Sequence, residues 1–145
     1  MTSPDPDAIV EAVSYGVLGR HETAMTMLQP HVDAGPASTY GMLCVLAHLA
    51  HTDDGGGAPD DPLMIHVEGP GGRPATIDEL PPPLRFAVRF VTACANRDHA
   101  TSCALFSAVA RHAEAHQTSD LAEAINIVYD MAVATTTVKQ RRPNT

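Results

Sequence analysis

The chain has no tryptophan, only six tyrosines and phenylalanines together, and a single lysine in 145 residues. A core this poor in aromatics suits closely packed helices better than a β-sandwich, whose strands favour aromatic and β-branched side chains. Cysteine is also scarce. Cys44, Cys94 and Cys103 leave at least one thiol without a mate, so no disulfide framework is available. With no basic start followed by an apolar run, the expected location is the reducing cytoplasm. Positive charge is short too: the net charge of −8 excludes a nucleic-acid surface, which needs a basic face. The one basic cluster, Lys139-Gln140-Arg141-Arg142, reads as a solvated, frayed end over 139–145. No apolar run is long enough to span a bilayer, so no membrane partner is expected. No nucleophile elbow, phosphate loop, dinucleotide fingerprint or H-E-x-x-H is present. The pattern therefore assigns no catalytic residue and no cofactor.

What is present is helical rhythm. Asp5 is a candidate N-cap with Pro6 in the first turn, followed by Ile9, Val10, Val13, Val17 and Leu18 at helical spacing. Gly19 ends that helix. A second helix is predicted over His21 to Val32, burying Ala24, Met25, Leu28 and Val32, with Pro30 kinking it or ending it early. The third runs from Ala37 to about Thr52 around Met42, Leu43, Leu46, Leu49 and Ala50. Asp53 to Pro62 cannot continue it and reads as a mobile loop and a natural seam. Residues 63–77 alternate, turn at Gly69 to Gly72 and alternate again, which predicts a small β-hairpin.

Pro81-Pro82-Pro83 launches a fourth helix, apolar almost all round except for a stripe of Arg85, Arg89, Thr92 and Asn96. Asn96 is the expected left-handed terminator, and Asp98 caps a fifth helix to about Gln117. Thr118 or Ser119 caps a sixth, which buries Leu121, Ile125, Val128 and Ala132 beside Tyr129 and dissolves near Thr137. The fold class expected is all-α, or mainly α: one domain of five to six helices in antiparallel hairpins with one β-hairpin insertion.

Ala12, Tyr15, Gly19, Ala24, Leu28 and Pro36 stand at the separations of one tetratricopeptide unit, and residues 8–36 resemble that family. Ala8 stands where the family has Trp, and Glu11 where it has Leu. The resemblance implies a surface for peptides or partner helices and no catalysis. "LGRHETAMTML" and "ANRDHATSCAL" echo one another as the turn and opening of two helical hairpins.

Histidine and cysteine supply the only metal-type spacings. Cys44, His48 and His51 span about 10 Å of helix rise, too far to converge on one ion, and read as a solvent face. His99 and Cys103 are four apart, with Cys103 expected as a small buried hydrophobe. His112 and His116, also four apart, lie in the last turns of the fifth helix, where the carbonyl end favours a cationic imidazole. The ordinary reading is an amphipathic helix; the alternative is a metal- or small-ligand-binding regulator using these two histidines. The Asp53-Asp54 and Asp60-Asp61 pairs lack the EF-hand order. Arg85 and Arg89 could hold an anionic ligand, or form ion pairs with Asp120, Glu123 or Asp130, which is the expectation preferred.

On the sixth helix Ile127, Met131, Ala134 and Val138 form a second apolar stripe beyond the one a monomer core requires. The functional expectation is a non-catalytic helical module or adaptor that binds a protein partner through this stripe, the simplest partner being a second copy in a two-fold dimer.

Overall fold

A computed structural model describes residues 5–51 and 79–141, with Arg141 described by its backbone alone. These residues form six helices and no strand: α1 Pro6–Val17, α2 His21–Asp33, α3 Pro36–Ala50, α4 Pro82–Ala95, α5 His99–His116 and α6 Asp120–Arg141. The hairpin expected near 63–77 and the loop 53–62 lie outside the described residues. The chain divides into two compact units. Unit 1 comprises Met1–Thr52 with Val128–Thr145, and unit 2 comprises Asp53–Ile127. The boundary at Thr52 falls at the compositional seam, and α6 belongs to unit 2 up to Ile127 and to unit 1 from Val128.

In unit 1, α1, α2 and α3 pack against one another. Asp5 caps α1 as its composition requires: its Oδ1 accepts from Asp7 N–H at 3.1 Å, and Pro6 occupies the first turn. The fully enclosed side chains include Ile9, Ala12, Ala24, Met42, Leu43, Leu46, Ala47, Val128 and Ala132. Small residues at Ala12, Ala24 and Ala47 let helices approach closely, which explains how few aromatics the chain needs. Pro30 does not end α2 early, since the helix runs on to Asp33. It sits in the last turn on the exposed side, so only the Thr26 carbonyl loses a helical donor, and Ala34 N–H still reaches Pro30 O at 3.0 Å.

In unit 1, α1 and α6 come close together at Gly16. Gly16 is buried inside α1, and a methyl built there would overlap the Tyr129 hydroxyl and stand 2.6 Å from Val133 Cγ2. Tyr129 is 1% exposed and donates its hydroxyl to Ala12 O at 3.1 Å. Its ring meets His21 edge-on, with centroids 6.1 Å apart. Further along α6, Thr135 Oγ1 donates to Ala50 O at 2.6 Å, satisfying a carbonyl at the end of α3. This anchoring, with Thr137 Oγ1 turned back onto Val133 O at 2.8 Å, accompanies a helix that continues to Arg141 instead of dissolving near Thr137.

In unit 2, α4 and α5 form a helical hairpin. Phe86, Ala87, Val88, Phe90, Val91 and Ala93 of α4 are buried, with the Phe86 and Phe90 rings stacked 5.2 Å apart. The buried face of α5 is narrow: Ser102, Phe106 and Ala113. Leu105 and Val109 are only half-buried. Asp98 caps α5 through Oδ1 to Thr101 N–H at 3.1 Å and Oδ2 to the Thr101 hydroxyl at 2.6 Å.

Three helix exits share one bond pattern. Arg20 N–H reaches Tyr15 O, Asp98 N–H reaches Ala93 O and Thr118 N–H reaches Ala113 O, each a six-to-one closure at 2.8–3.0 Å. The residue before each donor is left-handed: Gly19 at φ 82°, Arg97 at φ 60° and Gln117 at φ 52°. The terminator after α4 is therefore Arg97. Asn96, expected in that role, has φ −85° and serves as the C-cap. The sequence echo between the two hairpins is real in backbone geometry but displaced by one residue, with Gly19 answering to Arg97.

Candidate functional site

The second stripe of α6 is present as a helix face. Ile127 and Met131 are half-buried, Ala134 is exposed and Val138 is 49% exposed. Spacings of four, three and four residues place these side chains along one side over about 16 Å of helix rise. The opposite side carries Val128, Tyr129 and Ala132, all buried. The partition follows the 3.6-residue period: one apolar stripe closes the core and the other is left only partly covered. Two other large apolar side chains stand out in unit 1, Val10 of α1 at 43% and its C-cap Leu18 at 73% exposure. A shallow depression lined by Met25, Thr26, Gln29, Pro30 and Asp33 lies on α2. Within its lining Gln29 Nε2 donates to Asp33 Oδ1 at 2.8 Å.

Arg85 is half-buried and Arg89 exposed. Asp120, one of the acids considered as their partner, faces His112, with Oδ2 3.8 Å from Nε2. His112 and His116 lie with ring centroids 4.4 Å apart, tilted by 46°. The rings of His48 in α3 and of His51, its C-cap, meet edge-on at 5.3 Å. Among the described residues no group of three or more His, Cys, Asp or Glu side chains could hold a metal ion. Cys103 is exposed, contrary to its expected burial. The buried stripe of α5 passes through Ser102, and the next position turns about 100° away from it. None of the three cysteines is in a disulfide.

Two titrations are displaced by their surroundings. The Asp98 carboxyl is held below its ordinary value of 3.8, first by the Thr101 hydroxyl and then by the Thr101 N–H. Burial, with the Asp130 charge second, pushes the Tyr129 phenol above 10.0.

The Gly16–Tyr129 contact was not foreseen from sequence. Its one signal was an isolated glycine in the middle of an otherwise good helix, a placement that usually marks a close approach. No helix among the described residues is long and apolar enough to cross a membrane. No family model, curated protein or solved structure matches the chain.

Proposed function

We propose that this chain is a non-catalytic helical module of the reducing cytoplasm that binds a protein partner through α6, with a second copy of itself as the simplest partner. The observation that carries the reading is the half-covered face of Met131, Ala134 and Val138, opposite a side of the same helix that is already fully used by the core. Leaving such side chains in water forgoes about 25 cal/mol per Å² of apolar surface, a loss that association recovers. The tetratricopeptide-like opening supports the same class of function. Ala12, Ala24 and Leu28 are buried at the α1–α2 crossing and Gly19 supplies the left-handed turn between the helices, as that hairpin design requires.

Sedimentation of the full chain at micromolar concentration tests the proposal. The expected result is a dimer that Val138→Asp and Met131→Asp convert to monomer with helicity unchanged, since Val138 is outside the core. A compact wild-type monomer, together with capture of a cellular partner that neither substitution weakens, overturns it.

A further inference from the structure

Among the described residues, the large apolar side chains left open to water are Val10 at 43%, Leu18 at 73% and Val138 at 49% exposure. All three belong to unit 1, and they fall in two places: α1 with its C-cap, and the far end of α6. On α1, Asp7 stands three and four residues before Val10 and Glu11, which stand four and three before Ser14. These four exposed positions therefore share one side, while Ile9, Ala12, Val13 and Gly16 are buried. That outer side is apolar and acidic. The end of α6 is apolar and basic: Val138 is followed by Lys139, the chain's only lysine, and the helix closes at Arg141 with Arg142 next in sequence.

Resting on the reading that α6 receives a second copy, we propose that the outer side of α1 is the surface it meets. In a two-fold dimer, the Val138 end of α6 from one copy docks on Asp7, Val10, Glu11 and Leu18 of the other, and the reciprocal contact forms at the same time. Two-fold symmetry repeats every contact, so each copy must carry both a surface and its complement. Unit 1 supplies both on neighbouring helices, since Tyr129 of α6 donates to Ala12 O of α1 and Val133 adjoins Gly16. The chain carries a net charge of −8, so two copies repel one another at a distance. Laying the basic end of α6 over Asp7 and Glu11 reverses that sign locally, and it takes the three exposed apolar side chains out of water together. Ion pairs at such a rim add little affinity and chiefly set which surfaces meet, while the buried apolar area holds them there.

Sedimentation of the untagged full chain, with circular dichroism as the control for folding, tests this. Val10→Asp should dissociate the dimer as Val138→Asp does, although the two residues lie on different helices. Mixing those two variants should restore a dimer weaker than wild type, because the intact α1 of one chain meets the intact α6 of the other at one of the two contacts. Glu11→Lys and Lys139→Glu should each loosen the dimer several-fold at low salt, a chain carrying both should recover most of the loss, and high salt should erase the differences. A wild-type monomer removes the reading of α6 and this inference with it. A dimer that Val138→Asp dissociates, but that Val10→Asp and Glu11→Lys leave as tight as wild type, overturns this inference alone. So does a mixture of Val10→Asp and Val138→Asp chains that stays monomeric when the wild type is dimeric.

Discussion

Gly16→Ala should destabilise this protein, although the same change in most helix interiors does the opposite. Intrinsic propensity alone favours alanine over glycine by about 1 kcal/mol. At Gly16 the added methyl would overlap the Tyr129 hydroxyl and crowd Val133 Cγ2 at 2.6 Å. Tyr129 cannot simply swing aside, because it is 1% exposed and bonded to Ala12 O. Overpacking of this kind costs about 1–3 kcal/mol, enough to exceed the propensity gain across most of its range. Tyr129→Phe alone loses one hydrogen bond, a net cost of about 1 kcal/mol, while the Ala12 carbonyl keeps its place in the α1 ladder. The Phe ring lacks the atom that the methyl meets first. The double variant should therefore be more stable than the sum of the singles implies, by about 0.5–3 kcal/mol, the usual coupling for residues in contact. Urea unfolding followed by circular dichroism gives all four corners of the cycle, and Val133→Ala supplies an independent relief of the same clash. A Gly16→Ala protein as stable as wild type, or strictly additive losses, would refute the close approach of α1 and α6.

The left-handed residues that end α4 and α5 are not glycine, so Arg97→Gly and Gln117→Gly should each raise the urea midpoint, by about 1 kcal/mol in stability, because the αL conformation penalises a β-carbon. Unchanged or lowered midpoints in both would contradict that geometry. Stability should also fall at both extremes of pH for identifiable reasons. Asp98 has a lowered folded-state value, so its contribution is complete above the ordinary 3.8 and disappears as pH falls through the lowered value. Asp98→Ala should lower the urea midpoint at neutral pH and flatten the acid limb. Tyr129 has a raised value, so its contribution is complete below 10.0 and disappears as pH rises through the raised value. Tyr129→Phe should flatten the alkaline limb, and an unaltered limb would show that this phenol is not the group responsible.

Helices were legible because their signals are local. Asp5 and Asp98 announce caps, Gly19 announces a turn, and Met42, Leu43 and Leu46 repeat with the period of a buried face. Sequence and structure part where one local rule meets a competing one. Pro30 looked like a breaker, but in a last, exposed turn its missing N–H costs little. Asn96 looked like the left-handed residue because asparagine tolerates that region, yet the six-to-one closure places Arg97 there. Thr135 to Thr137 read as a dissolving end because β-branched residues are weak helix formers, whereas one hydroxyl bonds α3 and another its own helix. The candidate sites were half legible. Spacing locates the His112 and His116 pair and the α6 stripe, but it does not show that Asp120 faces His112 across the turn.

The hydroxyl of Tyr129 meets Ala12 across 117 positions of sequence, and the unit it completes is interrupted by the whole of the other. During synthesis, α1 to α3 must therefore leave the ribosome and wait, with the groove around Gly16 open, until the last helix is made. The α4–α5 hairpin needs only neighbours along the chain and can condense in the interval. Shortening the chain before Tyr129 should consequently injure its beginning more than its middle, an order of dependence opposite to the order of translation.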